Sequence, residues 1–187
     1  MERPRPPRDG LDVVPDDRFR PVDVMTRTVR AEDVDPLASA FAAWPKPREL
    51  FETYARRVAG GTLDMVVASV DSHLAGYLLI EPQSSYPPFA EAGIPEIADF
   101  NVLRSWQRAG IGTALMDEAE RRVAQISDVV GLGVGLYSDY GTAQRMYVRR
   151  GYLPDGAGVV IAGAPVPPGT EILLNDDPEL MFTKQLR

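Results

Sequence analysis

Apolar and polar positions alternate along EIADFNVL, residues 96–103, as they do in a half-buried strand. Directly afterwards Leu115, Ala119 and Val123 recur at helical spacing with charges between them. The change of period falls on Gln107-Arg108-Ala109-Gly110-Ile111-Gly112, so two glycines stand where a strand turns into a helix. Val24 to Val29 predicts a first strand. After it, Val34, Leu37, Phe41 and Trp44 share one face of a helix that Asp33 can cap, with Pro36 tolerated in the first turn, and Pro45 and Pro47 break it. A second helix over 48–58 presents Leu50, Phe51, Tyr54 and Val58 and stops at Gly60-Gly61. Trp44 belongs either to the core or to a pocket wall at the junction of these helices. Residues 62–70 and 74–81 predict a hairpin joined by Asp71-Ser72-His73, and 129–137 a fifth, apolar strand. Ser138 or Asp139 can cap a helix from 141 to 150 that Gly151 ends; a short strand at 159–162 and a last one at 179–186 complete the chain. The prolines of 82–95 predict a loop without regular pairing. A loop of that length is a candidate lid, with Tyr86 and Phe89 as its contacts.

Residues 1–22 change this picture at one end only. They are rich in Pro, Arg and Asp and bury little, so they predict a flexible extension, leaving 23–187 as the folded domain. The full 187 residues suit one domain with such an ornament. The absence of cysteine excludes disulfides, thiol catalysis and an acyl-cysteine intermediate. The one histidine sits in the hairpin turn, where a metal role or a Ser-His-Asp assembly has nothing to support it. No apolar run has the length of a membrane span and the N-terminus lacks a signal core, which predicts a cytoplasmic protein. A net charge of −7 argues against nucleic acid and suits a cationic acceptor such as an amine.

A helix start carries unpaired N–H groups and the positive end of the dipole, so glycines there allow a phosphate to approach bare backbone. Three cradles could use them. The chain contains no Gly-Lys pair, which removes the P-loop; Leu115 stands where a dinucleotide fingerprint needs its third glycine. The glycines of VVGLGVGLY lie inside a strand and are better explained as packing space. What remains, Gln-x-x-Gly-x-Gly between strand and helix, with the flanks VLRSWQRAGIGTALMDEAE, resembles the acyl-CoA pyrophosphate loop of the GCN5-related N-acetyltransferases (GNAT). A second stretch, TAQRMYVRRGY, is similar to that family's closing motif, with Tyr147, Gly151 and Tyr152 in its places.

The resemblance covers roughly residues 24–187 and implies an α/β fold: a mixed, mostly antiparallel sheet of six to seven strands with a splayed central pair and about four helices. It implies acetyl-CoA as co-substrate and no metal. Asn101, Val102 and Leu103 would pair with the pantetheine arm, and Gln107, Arg108, Ala109, Gly110, Ile111, Gly112 and Thr113 would hold the pyrophosphate. Tyr147 takes the place of the proton donor to the departing thiolate, and the N–H of Leu103 would polarise the thioester carbonyl. Asp99 matches an acidic position that could serve as base through water. Glu96, three residues earlier, should point to the opposite face. Two departures stand out: Arg104 where the family often has proline, and Tyr140 where many members have asparagine.

Together these features predict transfer of acetyl from acetyl-CoA to a primary amine, of a small molecule or a peptide, in a ternary complex. A regulatory acyl-CoA-binding module of the same fold is the alternative, and a nucleotide-binding protein ranks last. The acceptor is left open because such a fold fixes the donor and builds the acceptor pocket from loops. A homodimer would be the commonest assembly, and no membrane partner is expected.

Overall fold

The computed structural model describes residues 22–44 and 46–187. The predicted extension lies outside them apart from Val22, which packs against the core. Eight strands form one sheet: β1 (Met25–Thr28), β2 (Asp64–Val70), β3 (His73–Glu81), β4 (Glu96–Val102), β5 (Val129–Gly135), β6 (Leu153–Ile161), β7 (Ala164–Pro165) and β8 (Glu179–Gln185). Their order is β1-β2-β3-β4-β5-β8-β6-β7, and β4 with β5 is the parallel pair. Five α-helices cover it: α1 (Val34–Ala40), α2 (Arg48–Ala59), α3 (Pro87–Ala92), α4 (Ile111–Val123) and α5 (Gly141–Arg149). The fold class is the one expected, with one strand more than the upper estimate and one extra helix.

Side-chain alternation in the strands divides the core in two. On one face Val66, Leu78, Ile97, Val130, Leu132, Val134 and Phe182 meet Leu115, Met116 and Ala119 of α4. Each large side chain so buried contributes about 2 kcal/mol relative to exposure. On the other face Met65, Val67, Tyr77 and Leu79 meet Leu37, Phe41 and Phe51 of α1 and α2. Phe41 is the centre of an aromatic cluster, edge-on to Trp44 and to Tyr77 at 5.2 and 5.0 Å.

Several local expectations need correction. Asp33 stands at the start of α1 but caps none of its N–H groups; its carboxylate instead accepts from the Arg30 N–H, closing the 3-10 turn before the helix, and from the Arg27 guanidinium. Neither Ser138 nor Asp139 caps α5, because both lie in a 3-10 turn that runs into it. The segment 82–95 contains α3, started by two prolines, which suit a first turn where no N–H is needed. Residues 153–161 form a nine-residue strand instead of a short one, paired with β8 at Leu153, Pro154, Val159 and Val160, and the register shift between Pro154 and Val159 breaks the alternation.

Candidate functional site

The β4–β5 pair is joined at only two positions, Glu96 opposite Gly131 and Ile97 opposite Leu132, after which the strands part. The rest of β4 is paired with β3 alone. In an antiparallel pair successive N–H groups point alternately toward and away from the partner. The Leu103 N–H donates to the Ala75 carbonyl at 2.9 Å, so it is committed to β3. Leu103 therefore cannot polarise a thioester carbonyl as expected. By the same alternation the N–H of Val102 faces the gap. Asn101 turns its amide to the Asp99 backbone carbonyl and carboxylate, both at 2.8 Å.

The gap ends at the start of α4. Gly110 precedes the helix in the left-handed region, at φ 88°, with no side-chain cap; the first turn carries no acidic residue. The first intrahelical bond runs from the Ala114 N–H to the Gly110 carbonyl, which leaves the N–H groups of Ile111, Gly112 and Thr113 pointing out of the helix end. Arg108 is also left-handed, at φ 64°. Gln107, Arg108 and Thr113 are exposed, and Ile111 is buried and offers only its backbone. Ala109 and Trp106 pack partly on the core and anchor the loop. The two glycines act differently. A Cβ on Gly110 would meet nothing, so that position is set by its backbone angle; one on Gly112 would lie 3.3 Å from Phe100 Cζ, so that position is set by the closeness of α4 to β4.

Helix α5 spans the same face of the gap. Its Met146 sulfur would be 3.8 Å from a Cβ on Gly112, and Gln144 Nε2 donates to the Gly135 carbonyl at 2.8 Å, tying the helix to both walls. Between these contacts Tyr147 is buried, and burial alone pushes its hydroxyl above the usual phenol range. It is thus a protonated donor at neutral pH.

The opposite face of the gap carries the carboxylates. Asp99 has φ 42°, and the β3–β4 register shifts there, so that one residue too many lies between Ala98 and Asn101. This bulge defeats the two-residue alternation. Asp99 lies with Glu96 on the α1–α2 side instead of facing away from it, contrary to the expectation from spacing. Four donors occupy its oxygens: Lys46 Nζ at 2.5 Å, the hydroxyls of Tyr54 and Tyr77 at 2.9 Å each, and Asn101. Burial would raise its pKa, but Lys46, Asn101 and Tyr77 together hold it below the usual range. Beside this cluster an open depression of about 560 Å³ is lined by Ala38, Ala42, Trp44, Lys46, Pro47 and Arg48. Trp44 thus packs partly on the core and also lines this depression.

The glycines of β5 point to this same face and each makes room for one side chain. A Cβ would lie 2.2 Å from the Phe89 ring at Gly131, 3.0 Å from Glu179 Oε1 at Gly133, and 2.4 Å from the Tyr140 ring at Gly135. Packing space is therefore the correct explanation of that run. Tyr86 and Phe89, expected on a lid, are buried with Val160 and Met181, and the Tyr86 hydroxyl donates to Asp155 at 2.8 Å. Tyr140 donates to Asp176 at 2.8 Å from its place over Gly135. Lys46 and Glu179 gave no sequence signal, since each is brought to the gap by a loop or strand end distant in the chain. Among the described residues no cluster of three or more His, Asp or Glu could hold a metal, and no helix is long and apolar enough to cross a membrane.

The family model described as acetyltransferase (GNAT) domain matches residues 27–168. No curated protein matches the sequence significantly. Among solved structures, a GNAT-family protein from Desulfovibrio desulfuricans is 19% identical, with a TM-score of 0.66 over 88% of this chain and 100% of that one. Arabidopsis thaliana NAA60 in complex with acetyl-CoA is 16% identical, with a TM-score of 0.62 over 87% and 98%. The ribosomal-protein-S18-alanine N-acetyltransferase from Escherichia coli is 10% identical, with a TM-score of 0.63 over 88% and 94%.

Proposed function

The chain belongs to the GNAT acetyltransferase family, and from that premise we propose that it moves acetyl from acetyl-CoA to a primary amine by direct attack while both are bound. The observation that carries this is the continuity of the β4–β5 gap, edged by unpaired β4 backbone, with the uncapped N-terminus of α4. An extended polar chain ending in a diphosphate matches both parts. Its arm adds to β4 as a further strand would, and its anion meets the N–H groups of Ile111, Gly112 and Thr113. The acetyl-CoA complex of NAA60 supports the donor.

Direct transfer needs a polarised carbonyl, a neutral amine and a proton for the leaving thiolate. The outward N–H of Val102 can supply the first. Tyr147, which burial keeps protonated at neutral pH, can hydrogen-bond the leaving thiolate and pass it a proton as the acidic nitrogen of the adduct replaces it. Four donors and a lowered pKa leave Asp99 little power as a base. They suit it to fixing Lys46, and with it the α1–α2 connection, as one wall of the acceptor entrance. The amine enters from that side, opposite Tyr147. Small-molecule and peptide amines are the acceptor classes, the latter supported by the alanine N-acetyltransferase among the similar structures.

Acetyl-CoA at about 100 times its Kd should stabilise the fold by about 2.7 kcal/mol, a rise in Tm of roughly 5–10 °C. No rise at saturation would refute the donor assignment. Release of CoA only when an amine from a panel of polyamines, amino acids and peptides is added separates transfer from mere binding.

A further inference from the structure

Four carboxylates face the α1–α2 side of the sheet around the gap, and three have partners. Glu81 receives Arg57 Nη1 at 2.8 Å, Asp99 receives its four donors, and Glu96 receives the Ser84 hydroxyl at 2.5 Å. Glu179 is the first residue of β8, paired through its backbone with Gly135 and Val160, and its carboxylate has no hydrogen-bond or ion-pair partner among the described residues. Its carboxylate lies over Gly133, the first position of β5 beyond the paired part, so it stands at the point where β4 and β5 separate. Any side chain at Gly133 would displace it, since a Cβ there would be 3.0 Å from Oε1. The bare strand is what lets this group reach the apex.

We propose that Glu179 is the catalytic base that takes the proton from the acceptor ammonium at the apex of the gap. The proposal rests on the acyl-transfer reading above and adds to it the residue that makes the amine a nucleophile. The proton balance closes. The ammonium gives one proton to Glu179, and the neutral nitrogen forms the C–N bond at the thioester carbon. The C–S bond then breaks; its electron pair stays on sulfur, which takes a proton from Tyr147. The second proton lost by nitrogen restores Tyr147, and Glu179 returns the first to water. Three further features agree. The groups facing Glu179 are Glu96 from β4 and Asp177 from the preceding loop, while β5 offers glycines and β6 offers Val160. Burial first, and then these two acids, push its carboxyl up to about 7, where a base is half free at neutral pH. The pair with Glu96 also attracts a cation before the transfer and repels an acidic acceptor.

The test uses the full chain with acetyl-CoA and an acceptor found on the amine panel. In the wild type kcat/KM for the amine should fall below a limb near pH 7, and a carboxyl ¹³C resonance should titrate there; both should vanish in Glu179→Gln. That variant should lose about 100-fold in kcat/KM at pH 7 with the KM for acetyl-CoA unchanged, the deficit shrinking as pH approaches the amine's own pKa of about 10. Glu96→Gln removes a repelling neighbour and should move limb and resonance to lower pH. A deficit in Glu179→Gln that is the same at every pH, or a limb that persists in it, overturns the base role while leaving acetyl transfer intact. Should that variant not fold, a limb unmoved by Glu96→Gln overturns it equally. A wild type that binds acetyl-CoA but acetylates no amine overturns both this role and the amine acceptor, and leaves the donor site standing.

Discussion

Gly112 and Phe100 approach so closely that a methyl group on the glycine would sit 3.3 Å from the ring, and this contact seats the N-terminus of α4 against β4. The anion end and the strand edge are therefore one rigid unit. Gly112→Ala should require Phe100 to yield by a few tenths of an ångström and weaken acetyl-CoA binding several-fold; Gly112→Val should weaken it more than tenfold, measured by calorimetry. Gly110→Ala tests the other glycine. Forcing a Cβ into the left-handed region costs about 1 kcal/mol, so Tm should fall by about 2–4 °C even though the space is open.

Tyr147→Phe removes a hydroxyl whose raised pKa comes from burial alone, with no hydrogen-bond partner among the described residues. Stability should change by less than about 1 kcal/mol. Turnover should fall by about 100-fold or more, with the KM for acetyl-CoA within about threefold, because general acid catalysis contributes factors of that size. Steady-state kinetics with the best amine checks it. Unchanged turnover would reduce this tyrosine to a packing role.

Lys46 and Asp99 give a pH-dependent prediction. The folded pKa of Asp99 is below its unfolded value, so its contribution is present above about pH 4 and is lost as pH falls through the folded pKa. Lys46→Met leaves a buried carboxylate with three donors and no cation. It should cost about 3 kcal/mol at pH 7. The loss should shrink toward pH 3, where the lone carboxyl is protonated. Thermal unfolding of both proteins across that range is the measurement; a pH-independent difference would mean that Lys46 acts through packing.

Much of this architecture was legible because period-2 and helical runs alternate cleanly from Met25 to Val123, and because the Gly110/Gly112 and Tyr147/Gly151 motifs lie at element boundaries that the pattern locates. What escaped was long-range or local against the pattern. The bulge at Asp99 inserts one residue into a run that reads as regular alternation, and only the offset between Tyr77 and Leu79 across β3 reveals it. Helix α3 is six residues begun by two prolines, too short for a period and easily taken for loop. The Leu103 N–H is committed to Ala75, a hydrogen bond that no spacing within β4 could show. Glu179 stands at the head of an ordinary terminal strand, and its meaning comes from a glycine 46 positions earlier that is bare on the matching side.

The same glycine face makes a prediction about α3. Phe89 occupies the volume where Gly131 would carry a Cβ, with three ring carbons at 2.2–2.7 Å from that point, too close for any rotamer adjustment of the alanine itself. Gly131→Ala must therefore move the ring, and with it α3, away from Val160 and Met181. Overpacking of this kind costs about 1–3 kcal/mol. Since Gly131 belongs to the paired part of β5, the sheet cannot easily retreat, and the displacement should fall on the shorter element. Hydrogen exchange should rise about tenfold or more over residues 86–94 while the amides of β5 and β8 stay protected. If β5 itself lost protection and α3 did not, the helix rather than the strand would be the rigid partner, and the acceptor side of the gap would be shaped from Phe89 outward.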